Sequence, residues 1–268
     1  YFCGEFKTDR MAQNRPFILI SNDDGYHANG IKTLVSFLKN HANLLVCAPE
    51  SGRSGFSCAF SAAVPLRLKQ RHNMGEIEVW SCNGTPVDCI KLALSELCKV
   101  RQPDLILSGI NHGDNASINH HYSGTIGAAK EGCMKYIPSI AFSTCNDDED
   151  ADLSYLQNDV LTIVKRVMQD GLPKGVYLNV NFPAQPPFKG IKTSRMAYGS
   201  WVNEVERFTH PRNYDYFWMA GHYQNDEPTS EDTDQWALRH GYVAVTPLKI
   251  DTTDYSFLQK IHSWDTRL

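Results

Sequence analysis

No part of the chain approaches the ~20 consecutive apolar residues that cross a bilayer, so a membrane-spanning helix is not expected. Charge of one sign is not in excess either: 26 Lys and Arg face 30 Asp and Glu, a formal net charge of −4, with no basic stretch to offset it. Duplex nucleic acid is therefore not an expected partner. The eight cysteines fall at irregular intervals with no CxxC pair, which excludes a zinc knuckle and points to free thiols in a reducing compartment, the cytoplasm. The apolar run at the front end, Phe17 to Ile20, is too short for a signal-peptide core, and Met11 fits a natural start. Residues 1–15 then read as an N-terminal extension or an expression remnant. Walker, GxGxxG and GxSxG patterns are also missing, which disfavours a conventional ATPase, a dinucleotide dehydrogenase and a serine hydrolase.

What is present is a 268-residue chain, 42% hydrophobic, long enough for one large α/β domain with an appendage. Apolar runs at 17–20, 44–47, 77–80, 105–108, 139–142 and 176–180 read as strands alternating with helix-like segments, which predicts a mostly parallel sheet flanked by helices. Ile31, Leu34, Val35 and Leu38 form one apolar stripe of a helix. Thr85, Pro86 and Asp88 mark the start of a second helix reaching Leu97, by supplying a capping acceptor, a preset φ and a negative charge. A third runs from Ser123 to Met134, rich in small residues. The stripe Leu153, Leu156, Val160, Ile163, Val164 and Val167 predicts a fourth, stopped near Gly171. Beyond residue 190 aromatic residues crowd among polar ones, as in Tyr214, Tyr216, Phe217 and Trp218, a texture of hairpins or arms that pack on something else.

The strongest chemical signal is the strand ending in Ser21-Asn22-Asp23-Asp24-Gly25. Ligands of open α/β sheets bind beyond the carboxyl ends of strands, where this places two adjacent carboxylates, and Gly25 suits the bend that lets both face one ion. Arg53-Ser54-Gly55, Asn83-Gly84-Thr85-Pro86 and the segment from Ser108 through Asn111 to Asn115 end other strands on the same edge. Asp23, Asp24, Ser54 and Asn111 offer oxygen donors, the set of a hard cation such as Mg²⁺ or Mn²⁺. Ser123-Gly124-Thr125 adds a helix N-terminus suited to phosphate. Of His27, His112, His120 and His121, all near this edge, His112 is the candidate for protonating a leaving alkoxide.

Together, Ser21-Asn22-Asp23-Asp24-Gly25, Ala48-Pro49 with Arg53-Ser54-Gly55, Gly84-Thr85-Pro86-Val87-Asp88-Cys89, Ser108-Gly109-Ile110-Asn111 and Tyr122-Ser123-Gly124-Thr125 resemble the survival protein SurE family in order and spacing. The likeness continues through Leu178-Asn179-Val180-Asn181-Phe182-Pro183, Asp232-Thr233-Asp234 and Thr246-Pro247-Leu248, and covers about residues 16–255. It implies a Rossmann-like core over 16–190 and, over 191–268, C-terminal hairpin or helical arms used for oligomerisation plus a strand returning to the core. It also implies a homodimer or homotetramer, and a metal-dependent phosphatase of nucleoside 5′- and 3′-monophosphates. Carried over residue by residue, it puts one divalent cation, Mg²⁺ or Mn²⁺, on Asp23, Asp24, Ser54 and Asn111, with catalysis on Asp23 and Asp24. The substrate falls on Asn22, Ser123, Gly124 and Thr125, with Gly84 and Thr85 close by and Asn115 in the same group. Two departures, Glu50-Ser51-Gly52-Arg53 where the family has an acidic-arginine pair and Cys58 where it often has asparagine, bear on substrate preference. A non-catalytic nucleotide- or metal-binding oligomer is the rival expectation. A haloacid-dehalogenase phosphatase would carry Asp-x-Asp, not adjacent aspartates.

Overall fold

The computed structural model describes residues 15–266. The expected N-terminal extension lies outside the described residues except for Arg15. Thirteen strands follow in chain order: β1 (Phe17–Ser21), β2 (Asn43–Pro49), β3 (Leu68–Gln70), β4 (Glu78–Cys82), β5 (Leu105–His112), β6 (Ser139–Thr144), β7 (Val176–Phe182), β8 (Ile191–Thr193), β9 (Gly199–Val202), β10 (Val205–Thr209), β11 (Asp215–Met219), β12 (His222–Asn225) and β13 (Val243–Lys249). The α-helices are α1 (Asn29–Leu38), α2 (Pro86–Leu92), α3 (Gly124–Met134), α4 (Gln157–Asp170), α5 (Asp234–Arg239) and α6 (Tyr255–Lys260).

Nine strands form one sheet in the order β3-β4-β2-β1-β5-β6-β7-β13-β8. The run from β4 to β7 is parallel throughout. β13 returns antiparallel beside β7, and β8 pairs parallel to it. This is a mixed, mostly parallel Rossmann-like sheet flanked by helices. Its central strands are buried on both faces, as continuous apolar runs require. Ile18 and Ile20 pack with the stripes of α1 and α4, while Phe17 and Leu19 face the opposite way, toward Cys89 and Ile90 of α2 and Ala128 of α3.

The chain leaves β1 toward β2 and β4, then crosses back to enter β5 on the other side of β1. The carboxyl ends of β1 and β5 therefore flank the point where strand order reverses, the place where such sheets open a crevice. Local sequence sets the helix starts. Thr85 and Asp88 complete a capping box at α2, and Gly171 ends α4 with φ at +70°. The second helix is shorter as an α-helix than its pattern predicts, because its last turn, Ala93–Leu97, widens into a π-helix. β5 is longer than predicted, continuing through a bulge between Ser108 and Asn111.

The C-terminal part is divided. β8 and β13 join the sheet, whereas β9 pairs with β12 and β10 with β11 as antiparallel ribbons. Every residue of β10 and β11 is exposed, and α6 buries none of its residues. No helix among the described residues is long and apolar enough to cross a membrane.

Candidate active site

The bend after β1 is built by Asn22. Its amide donates to the Gly25 carbonyl at 2.9 Å and its oxygen accepts the Gly25 N–H at 3.2 Å, while Gly25 takes φ +110°, which a side chain would strain. This closed turn releases Asp23 and Asp24 from strand alternation. Asp23 is buried and Asp24 half-buried. Ser21 of β1 stands opposite Ser108 of β5, so both carboxylates follow one strand end while Asn111 follows its neighbour.

Asp23 is gripped from three sides. The Thr125 hydroxyl donates to its carboxylate, and the Arg53 N–H donates to its backbone oxygen at 2.6 Å. Gly124 lies so close that an added Cβ would stand 2.8 Å from Asp23 Cβ and 3.2 Å from the Arg53 carbonyl oxygen. Only glycine lets the start of α3 approach here. Burial pushes the Asp23 carboxyl above its ordinary value, while the Thr125 hydroxyl and the backbone N–H groups of Thr125 and Gly124 pull it down. Asp24 is pushed up to about 7, by burial first and then by the charges of Asp23 and Glu149. Its Oδ2 is buried without a partner.

Two adjacent carboxylates in this state have an unmet need for positive charge, and a divalent cation meets it. Among the described residues no three His, Cys, Asp or Glu side chains gather as a metal-binding group, so any further donors are neutral. Two are at hand. The Ser54 hydroxyl is exposed and makes no hydrogen bond to the described residues, and its chain neighbour Arg53 is tied to Asp23. Asn111 spends its amide nitrogen on the His112 and Gly113 carbonyls, at 3.2 and 2.7 Å, which leaves its carbonyl oxygen as an acceptor. The residues thus fit a hard cation by donor chemistry.

The expected substrate side chains are distributed differently. The Ser123 hydroxyl accepts the Ile126 N–H at 3.1 Å as the cap of α3 and keeps its own proton for donation. The Thr125 hydroxyl donates to Asp23 and so orients this carboxylate. Asn22 gives one amide N–H and one acceptor site to its turn. Thr85 donates to the Ala59 carbonyl at 2.7 Å and caps α2, and Gly84 is pressed against Asp88. Asn115 faces inward: its amide donates to Ser143 at 2.7 Å, its N–H to Asn181 at 2.8 Å, and its carbonyl accepts from Asn179 at 2.8 Å. Asn22, Thr85, Thr125 and Asn115 thus each shape the fold through hydrogen bonds of their own. His112 ends β5 with both ring nitrogens buried and unpartnered.

Asn179 and Asn181, in the Leu178–Pro183 segment, are the site's inner partners that local pattern leaves without a role. Their signal was there, since asparagines alternating with apolar residues in β7 mark one polar face within a buried strand.

The family model of the survival protein SurE matches residues 18–203, more than half of the chain and the whole of this cleft. The chain belongs to the survival protein SurE family. It is 45% identical over 255 residues to the 5′-nucleotidase SurE of Phocaeicola vulgatus, covering 95% of this chain and 99% of that protein. It is 44% identical to the 5′-nucleotidase SurE of Bacteroides thetaiotaomicron, covering 96% and 99%. Among solved structures, the SurE protein of Aquifex aeolicus superposes with a TM-score of 0.80 at 35% identity, covering 94% of this chain and 100% of that one. The SurE fold thus extends past the matched segment into the C-terminal arms and β13.

Proposed function

We propose that this SurE-family protein is a divalent-cation-dependent phosphomonoesterase that hydrolyses nucleoside 5′- and 3′-monophosphates to nucleoside and phosphate. The observation that carries this reading is the Asp23–Asp24 pair at the switch point, Asp23 buried and Asp24 half-buried with its Oδ2 buried and unpartnered. The printed names of the relatives, 5′-nucleotidase, support the 5′ half of it. The 3′ half rests on the family likeness of the cleft.

Asp23, Asp24, Ser54 and Asn111 would hold one Mg²⁺ or Mn²⁺. Such a cation, when bound, polarises a phosphoryl oxygen and lowers the pKa of water. The chain's own residues do the rest. Thr125 and the α3 N-terminus hold Asp23 oriented, and Gly124 leaves room for that approach. The Ser123 hydroxyl, with its proton free, donates to an equatorial phosphoryl oxygen as charge spreads over it, the dominant kind of stabilisation in phosphoryl transfer. Water adds to phosphorus in line, the bond from phosphorus to the nucleoside oxygen breaks, and that oxygen leaves with a proton. Phosphate and nucleoside are the products.

The exposed apolar side chains of the β10–β11 ribbon, Phe208, Phe217, Trp218 and Met219, support assembly as a homodimer or homotetramer. Phosphate release from a panel of 5′- and 3′-nucleoside monophosphates, with Mn²⁺, Mg²⁺ or EDTA, tests the reading. Release that requires the cation and is lost in Asp23→Asn is the expected result. Nucleotide binding without release under any cation would replace it with a non-catalytic binding protein.

A further inference from the structure

Three arginines stand around the outer end of β2, and two of them share one acid. Glu50 accepts from Arg71 at 2.9 Å and lies 3.8 Å from Arg67. Arg71 is fixed further by the Ser81 hydroxyl at 2.7 Å and by the Tyr26 ring, 4.7 Å from its guanidinium carbon to the ring centroid. Arg53 differs. Among the described residues it joins no ion pair. Its guanidinium gives one N–H to the Asn83 carbonyl at 3.1 Å and lies 5.5 Å from the centroid of the Phe56 ring. Its Nε is buried and has no partner.

The backbone of this residue is part of the cleft. Its N–H holds Asp23, its carbonyl borders Gly124, and Ser54 follows it directly. The side chain then spans from the carboxylate pair toward the loop that begins at Asn83. A buried guanidinium N–H without an acceptor, on a cation without a counter-ion, carries an unmet cost that an anion in the cleft would remove. The balance of charge points the same way. Asp23 and Asp24 match one divalent cation, so a dianionic phosphate monoester entering beside them finds no compensating charge from the carboxylates. Arg53 supplies it.

We infer that Arg53 is a substrate-binding residue, which donates from Nε and its free Nη hydrogens to non-bridging oxygens of the phosphoryl group. Phe56 supports the guanidinium plane, and Glu50 engages Arg71. The inference rests on the phosphomonoester reading in that the cleft accepts a phosphoryl group. It adds which side chain of this chain receives it.

The test compares wild type, Arg53→Gln, Arg53→Lys and Arg67→Gln in Mg²⁺. Binding of inorganic phosphate is followed by ³¹P NMR titration and turnover by nucleoside release, with circular dichroism to confirm folding. Arg53→Gln is expected to weaken phosphate binding about 10- to 100-fold, and to raise KM for the nucleotide in step while kcat falls less. Arg53→Lys, which keeps the charge but loses the fork, should lie between. Arg67→Gln should match wild type. Unchanged phosphate binding in folded Arg53→Gln overturns the inference, as does a wild type that binds no phosphate. Arg53-dependent phosphate binding without turnover would uphold it while removing the nucleotidase reading.

Discussion

The cleft at the ends of β1 and β5 and the β10–β11 ribbon are opposite in construction. In the cleft several polar side chains are held by partners inside the fold: Asn22 closes its turn, Thr125 holds Asp23, and Asn115 is pinned by Ser143, Asn179 and Asn181. In the ribbon every residue is exposed, and Phe217, Trp218 and Met219 are 60%, 64% and 76% exposed. A site that must hold two carboxylates together needs a rigid frame, because their repulsion and desolvation oppose the geometry. A ribbon with no core beneath it has no such constraint, and its apolar rings gain burial only against another surface. The cleft's frame is packed within the fold, whereas the ribbon leaves its apolar rings exposed.

Removing one charge from the cleft should break this contrast most visibly. Asp23→Asn should lower phosphate release by about 10³-fold while the protein stays folded, since the cation-holding charge contributes several kcal/mol to the transition state. Steady-state assay with circular dichroism checks both halves, and a mutant of near wild-type rate would refute the assigned role of Asp23. Gly124→Ala should come next, with activity down about 10- to 100-fold and stability down by about 1–3 kcal/mol, because the new methyl meets Asp23 Cβ and the Arg53 carbonyl. Urea unfolding beside the assay would show it. Equal activity would mean that α3 can move without disturbing Asp23.

Cation removal sharpens the comparison through pH. Burial and the charges of Asp23 and Glu149 push Asp24 up to about 7, from an ordinary carboxyl value of about 4. With the folded value raised, its protonated form stabilises the cation-free fold fully below about pH 4, and that stabilisation is lost as pH rises through 7. In EDTA at pH 8, Asp24→Asn should therefore be more stable than wild type by on the order of 2 kcal/mol, and near pH 4 about equal to it. In Mg²⁺ the order at pH 8 should shrink or reverse. Thermal melts across pH with and without EDTA decide it, and a pH-independent difference would remove Asp24's burial as the cause.

The smallest effect on the chain's own stability belongs to the ribbon. Phe217→Ser with Trp218→Ser should change single-chain unfolding by no more than about 0.5 kcal/mol, as exposed positions do. Light scattering should nevertheless show the assembly lost. An assembly that survives both changes would place the subunit contact elsewhere.

Local rules made much of the fold legible. The apolar runs that became β1, β2, β4, β5, β6 and β7 needed only hydrophobic pattern, and Thr85-Pro86-Asp88 needed only the chemistry of a helix start. Asp23, Asp24 and the strand-end position of Asn111 were readable because a strand running into acids and glycine has one place to go in a parallel sheet. The antiparallel return of β13 and the pairing of β8 were not, since short strands take their partners from sheet edges that exist only after folding.

What the sequence determined by itself, then, was which residues are candidates for the chemistry: two carboxylates, neutral oxygens and a capped helix start, each set by side-chain type and near neighbours. What only the tertiary structure decided was which of those groups remain free to act. Thr125 lies 102 residues from Asp23 and Asn115 lies 28 from Ser143, so no local rule foretells that their hydrogen bonds are already taken. Arg53 is the converse. Its freedom comes from Glu50 choosing Arg67 and Arg71, a competition settled by distance in space.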